Sequence, residues 1–277
     1  MKVTVLAENY VSFSIGLMGE HGFSAYIERE GKGYLFDTGQ HGVCVDNANT
    51  LGIDLRRIDR ILLSHGHYDH VGGLVRVLKT LGKETEIVGH PAMFDKKYAV
   101  TQAFGKRFIG VAWEKTYLED ALKARFNLTE GTYEVGPGLW LTGQVPSTNE
   151  YEQISDYLQV ERNGKLEKDT LLDDNSLVMD TKEGLLMIVG CAHRGIVNIM
   201  SYARKTFNRP IYGVLGGTHL MGVSEEHLNF VKDFIATENI RFFAPSHCTG
   251  IHHIITFSKS HKAITQPAFC GTSFDFL

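Results

Sequence analysis

The run Ser64-His65-Gly66-His67-Tyr68-Asp69-His70 places three imidazoles and one carboxylate within six residues. Imidazole and carboxylate together suit zinc, iron and manganese. His65 and His67 stand two apart, so an extended backbone points both to the same side. Asp69 and His70 follow where the chain must turn, just before Gly72 and Gly73. One strand end can thus offer imidazoles to one metal, and a carboxylate plus an imidazole to a second beside it. Two divalent ions close together lower the pKa of a water and polarise a carbonyl or phosphoryl oxygen. The chemistry this implies is attack on an ester, amide, phosphoester or diphosphate, with Asp69 placed to receive a proton.

The elements that must carry these residues are legible in the hydrophobic pattern. Asp59–Ser64 reads as a buried strand leading into the histidine run. Val71, Leu74, Val75, Leu78 and Leu81 give a helical beat from His70 to Leu81. Val3–Leu6 reads as a strand, and Ser24–Glu28 pairs with Gly33–Phe36 around the turn Arg29-Glu30-Gly31-Lys32. Ile87–Gly89 is a short strand ending at His90-Pro91. After residue 170 a regular beat returns. Asn175–Asp180 and Gly184–Val189 form a hairpin, Ile196–Thr206 is helical and Ile211–Leu215 is a strand. Glu225–Thr237 is a helix with Leu228, Val231, Phe234 and Ile235 on one face, and Arg241–Ala244 is the last clear strand. Strand–helix alternation of this kind implies sheets covered by helices.

Between these regions, residues 92–170 are less regular and contain no histidine. Gly136-Pro137-Gly138 and Pro146-Ser147-Thr148-Asn149 mark turns there. This segment reads in part as an insertion covering the metal site and in part as outer strands of a second sheet. A length of 277 residues fits one large α/β domain or two small ones; with no internal repeat or linker, residues 1–277 are expected to form one. The net charge of −4 argues against a nucleic-acid-binding body. The longest apolar runs, such as Gly184 to Gly190, are too short to span a bilayer. The N-terminus alternates like a strand, without a hydrophobic signal core. The expectation is therefore a cytoplasmic protein with a small-molecule substrate and neither a nucleic-acid nor a membrane partner. Four cysteines without paired spacing exclude a disulfide framework. Cys44 and Cys270 read as small packed groups, whereas Cys191 and Cys248 each lie within two residues of a candidate ligand histidine.

The segment His65-x-His67-x-Asp69-His70 resembles the metal-binding motif of the metallo-β-lactamase superfamily. The resemblance extends to Tyr34-Leu35-Phe36-Asp37-Thr38-Gly39-Gln40, Gly190-Cys191-Ala192-His193-Arg194-Gly195, Gly216-Gly217-Thr218-His219-Leu220 and Ser246-His247-Cys248-Thr249-Gly250. These last segments are similar to a branch of metal-dependent hydrolases that includes archaeal dihydropterin ribofuranosylaminobenzene-phosphate synthases. The resemblance implies a four-layer αβ/βα sandwich, with two mixed sheets and helices outside. It implies two divalent metal ions, zinc in the first place, with iron or manganese accepted by the same donors. His65, His67 and His193 would serve one ion. Asp69, His70 and a distal histidine would serve the other. His247 at the last strand end is preferred over His219 for that place, and His219 would then donate to a substrate oxygen or leaving group. Cys191 stands where many relatives carry a bridging aspartate, and it is either a soft ligand or a buried inert thiol. Asp37 would orient the metal loop through hydrogen bonds.

Lys96, Lys97, Lys106 and Arg107 could meet a phosphate, and Phe94, Tyr98, Phe104, Phe108 and Trp113 could stack on a heterocycle. On spacing alone the same residues read as a solvated basic face over core aromatics. His21 and His90 are placed near the pocket. His41, His227, His252, His253 and His261 are read as solvated or packed. The reading that follows is a metal-dependent hydrolase for a small, phosphorylated aromatic or heterocyclic substrate. The alternatives are a pterin-diphosphate transferase of the methanopterin type, in which an aromatic carbon displaces pyrophosphate, and a di-iron redox enzyme.

Overall fold

Strands that are apolar on both faces take interior positions, and those with one polar face take edges. The computed structural model describes residues 1–12, 16–260 and 264–276; His261 lies outside them. Two compact units are present: residues 1–130, 154–173 and 269–276, and residues 131–153 with 174–268.

In the first unit a seven-stranded sheet runs Ser273–Asp275, Lys2–Ala7, Ser24–Arg29, Lys32–Phe36, Ile58–Leu62, Thr85–Gly89 and Ala124–Leu128. Its first four strands are antiparallel, and the others join in parallel. The hairpin closes where expected: Arg29 pairs with Lys32, and Glu30 and Gly31 both take positive φ, 51° and 77°. That is the geometry of a two-residue primed turn. Helices Val43–Thr50 and Leu74–Leu81 cover this sheet through Cys44, Ala48, Leu74, Val77 and Leu78, which meet Leu35, Ile61 and Ile87 in one core.

The predicted helix from His70 to Leu81 is divided into Tyr68–Val71 and Leu74–Leu81. The reason is a close backbone approach at the two glycines. A Cβ on Gly72 would lie 2.2 Å from the Gln40 carbonyl oxygen, and one on Gly73 would lie 2.2 Å from that of Thr38.

Residues 92–170 are more regular than their sequence indicates. Lys165–Lys168, Leu158–Arg162, Lys96–Thr101 and Gly105–Phe108 form a four-stranded antiparallel sheet within the first unit. The same segment supplies the edge strand Ala124–Leu128 to the first sheet, and Tyr133–Gly136 and Leu139–Leu141 to the sheet of the second unit.

That second sheet also has seven strands, ordered Ile264–Thr265, Phe242–Ser246, Ile211–Gly217, Gly184–Val189, Ser176–Thr181, Leu139–Leu141 and Tyr133–Gly136. The first four are mutually parallel and the rest antiparallel. Gly184–Val189 is buried along its whole length, as expected of a strand covered on both faces. Helices Ile196–Phe207 and Glu225–Thr237 pack on it through Ile196, Met200, Leu228 and Val231. Both sheets are mixed and both carry helices, which is the expected α/β class. Among the described residues no helix is long and apolar enough to cross a membrane.

Candidate metal centre

The strand Ile58–Leu62 lies between two parallel neighbours, its Ile58, Ile61 and Leu62 are buried, and its end is held from both sides. The chain leaves it through Ser64 and enters the His65–His70 run, all of which is buried or nearly so: His65 is 1%, His67 5%, Asp69 6% and His70 0% exposed. His65 Nε2 approaches His67 Nδ1 to 3.0 Å, and the His65 and His70 rings are 4.2 Å apart. Asp69 Oδ2 lies 3.7 Å from His70 Nε2 and 3.2 Å from Nε2 of the half-exposed His21. Burial, with a contribution from the Lys97 charge, pushes the His67 imidazole down to about 3. A ring held neutral in this way keeps a lone pair available to a metal.

Asp37 fixes the arrangement. It sits at φ 58° at the end of strand Lys32–Phe36, a conformation that asparagine and aspartate tolerate better than most residues. Its Oδ1 accepts the Ser64 backbone N–H at 2.7 Å, and its Oδ2 accepts the Ser64 hydroxyl and His70 Nδ1, each at 2.7 Å. Ser64 Oγ in turn meets His65 Nδ1 at 2.8 Å. One carboxylate therefore orients two of the imidazoles, leaving their Nε2 atoms for other partners. Asp37→Asn keeps the backbone conformation and removes the charge. It is expected to weaken metal binding roughly 10- to 100-fold, as outer-shell substitutions do, checked by competition with a chromophoric chelator. An unchanged affinity would remove Asp37 from this role.

A second anchor was not anticipated from sequence. Asp173 Oδ2 accepts the Gly66 N–H at 2.8 Å, between the two histidines. Asp173 Oδ1 and Asp169 Oδ2 each take a hydrogen bond of 2.9 Å from Lys97 Nζ. All three side chains are buried. Burial opposes charge at Lys97, but the two carboxylates more than offset it and hold its pKa raised. Burial likewise opposes charge at Asp173, yet Lys97 and the Gly66 N–H hold it low. Lys97 is thus corrected from a substrate contact to an internal ion pair: in the strand Lys96–Thr101 it points inward while its neighbour Lys96 is exposed. Lys96 faces Glu161 at 3.9 Å, and Arg107 lies on the exposed strand Gly105–Phe108. The aromatic residues divide similarly. Phe94 and Trp113 pack with Phe126 against the first core, Tyr98 packs edge-on with Phe108, and Phe104 is 81% exposed.

In the second unit, three adjacent parallel strands each end in a candidate ligand. Gly184–Val189 leads to Cys191 and His193, Ile211–Gly217 to His219, and Phe242–Ser246 to His247 and Cys248. The turns are strained alike: Ala192, His219 and His247 have φ of 54°, 49° and 49°. Non-glycine residues in this region cost free energy and gather at functional sites. The His193 and His219 rings are 4.3 Å apart. Cys248 Sγ accepts the His219 N–H at 3.2 Å. Burial alone would raise the Cys248 thiol, but hydrogen bonds with Cys191 and His219 and the nearby His247 hold it well below its ordinary value. Two further polar groups sit at this edge. Asn175 immediately precedes Ser176, the partner of Val189, and Ser246 pairs with Gly217. Both are buried, and among the described residues neither the Asn175 amide nor Ser246 Oγ makes a hydrogen bond.

His90 Nδ1 accepts the Ala92 N–H at 3.0 Å, while His41 and His252 are exposed and His227 and His253 partly so.

Comparison with known proteins agrees with this arrangement. The family described as "Metallo-beta-lactamase superfamily" matches residues 18–151. An uncharacterized protein of Methanocaldococcus jannaschii is 37% identical over 246 residues, 88% of this chain and 90% of that one. The 7,8-dihydropterin-6-methyl-4-(β-D-ribofuranosyl)-aminobenzene-5'-phosphate synthase of the same organism is 30% identical over 287 residues, 100% of this chain and 97% of the other. The crystal structure of Tm1679, described as a metal-dependent hydrolase of the β-lactamase superfamily, superposes with a TM-score of 0.86 at 30% identity, covering 99% of this chain and 98% of that one. The chain belongs to the metallo-β-lactamase superfamily and has its fold.

Proposed function

We propose that this protein is a metal-dependent hydrolase acting on a small phosphorylated aromatic or heterocyclic substrate. The observation that carries this reading is the buried cluster of His65, His67, Asp69 and His70, whose rings Asp37 and Ser64 orient. Its donor chemistry fits two divalent ions, zinc first, with iron or manganese accepted. His193 would complete the set of His65 and His67. His247 would join Asp69 and His70. The ions would supply Lewis-acid polarisation of the bond to be broken and a nucleophile at neutral pH. The residues' own part is positional and protic. Asp37 would hold His70 in one tautomer, and the Asp69 carboxylate would take the proton released when the nucleophile forms.

The similarity to the methanopterin-pathway synthase supports a second reading, in which the same site releases pyrophosphate to an aromatic carbon rather than to water. One experiment separates the two. The purified protein is given phosphoesters and a dihydropterin diphosphate, with and without an aminobenzene acceptor, and phosphate and pyrophosphate are measured separately. Release without acceptor supports hydrolysis, and acceptor-dependent pyrophosphate supports transfer. No turnover of any phosphorylated substrate by metal-loaded protein would sink both.

Asn175 supports a polar ligand at this edge. Because its amide makes no hydrogen bond among the described residues, Asn175→Ala should leave thermal stability nearly unchanged. It should raise KM on the order of tenfold, about 1.4 kcal/mol. A large fall in stability with unaltered KM would mean that the residue is structural only.

A further inference from the structure

We infer that Cys191, His219 and Cys248 form a cation site of their own, suited to a thiophilic divalent ion such as zinc. Each residue offers one donor atom, two sulfurs and one imidazole nitrogen, and these lie within 4.8 Å of one another. Tetrahedral zinc with zinc–sulfur and zinc–nitrogen bonds of about 2.3 and 2.0 Å holds its ligand atoms about 3.5–3.8 Å apart. A contraction on the order of 1 Å therefore brings all three onto one ion. The site lies within the second unit and goes beyond the histidine–aspartate centre proposed above, which does not use these sulfurs.

Three features indicate that the cluster is built rather than incidental. The first is convergence. The donors come from the ends of three adjacent parallel strands, and Cys248 is 57 residues from Cys191 and 29 from His219. The second is fixation of the sulfur. Cys248 Sγ accepts the His219 N–H at 3.2 Å and lies 3.5 Å from the Cys191 carbonyl oxygen. The third is clearance. A Cβ at Gly217 would lie 2.7 Å from Cys248 Sγ, so the glycine leaves the sulfur its place.

The remaining thiols show what an inert cysteine looks like in this chain. Cys44 Sγ points at the Thr38 carbonyl at 3.3 Å and Cys270 Sγ at the Leu6 carbonyl at 3.4 Å; neither belongs to a group of converging ligand atoms among the described residues. Two sulfurs and one imidazole select zinc-like ions over magnesium or calcium, which prefer oxygen. Three protein donors leave a fourth position open to water or a substrate atom. On this assignment His219 is a ligand rather than a hydrogen-bond donor to substrate.

The test is cobalt(II) titration of chelator-treated protein, read as the thiolate-to-cobalt absorption in the near ultraviolet. Wild type and the His65→Ala/His67→Ala double variant should both develop the band. Cys248→Ser should lose most of it, and His219→Ala should shift it. Because wild-type and double-variant spectra are compared directly, failure of the histidine centre and failure of this site are distinguishable. Absence of the band from wild type would overturn the inference. So would its disappearance with His65 and His67, which would assign the sulfur to the other centre, and so would its survival in Cys248→Ser. A measurement on wild type alone guards against misfolded variants. Zinc at ten times its Kd should slow alkylation of both Cys191 and Cys248 about tenfold, resolved by peptide mass, and unequal or absent protection counts against the site.

Discussion

Replacing His65 and His67 together by alanine is expected to strip the protein of the metal held by its histidine–aspartate set and to end turnover. The two rings lie side by side in the loop, with Nε2 of one 3.0 Å from Nδ1 of the other. The loop is buried, and its backbone is pinned by Asp37 at Ser64 and by Asp173 at Gly66. The loss should exceed the roughly 10- to 100-fold that removal of an outer-shell partner costs. Metal content by elemental analysis and turnover on the best phosphorylated substrate are the readouts, with circular dichroism to show that the chain is folded. A folded double variant whose metal content equals that of wild type would show that these residues are not the ligands.

Lys97→Met should be the most destabilising single substitution outside the hydrophobic cores. Lys97 is 1% exposed, and its ammonium is the shared partner of Asp169 and Asp173. Removing it leaves two buried carboxylates without their cation, at a cost of about 3–5 kcal/mol. Because Asp173 also holds the Gly66 N–H, the metal loop should loosen as well, and metal affinity should fall with stability. The pH dependence follows from the two shifts. Asp173 is held low, so its contribution is present above the unfolded carboxylate value of about 3.9 and is lost as pH falls through the folded value. Lys97 is held high, so its contribution is present below the unfolded value of about 10.4 and is lost as pH rises through the folded one. The stability gap between wild type and Lys97→Met, read from urea midpoints, should be widest around neutral pH and shrink towards acid. A gap under about 1 kcal/mol at pH 7 would place this ion pair among the weak surface pairs.

What the sequence reveals about this site depends on how far apart its members lie. His65, His67, Asp69 and His70 announce themselves because their spacing is local and matches an extended chain entering a turn. Asp37 is recoverable only through family resemblance, since nothing in its immediate sequence points to Ser64 or His70. Lys97 and Asp173, 76 residues apart, are not recoverable. A lysine next to Lys96 in a polar strand looks solvated, and only the strand's alternation, with one neighbour out and the next in, turns it inward. The helix after His70 shows the same limit. Its apolar period continues through Gly72 and Gly73, and what divides it is the backbone of Thr38 and Gln40 passing close by. Residues 92–170 escape pattern reading because the strands Gly105–Phe108 and Lys165–Lys168 are exposed throughout and carry no buried face. Cys248 is visible beside His247, but its approach to Cys191 and His219 depends on three strands ending side by side.

The most direct test of the central claim is the metal content of the full chain, purified without an affinity tag, measured for wild type and for His65→Ala/His67→Ala. The account predicts a difference of about two equivalents of zinc, iron or manganese per chain, as expected of a two-metal site. Equal metal content in both proteins, with no further uptake by wild type on reconstitution, would contradict it.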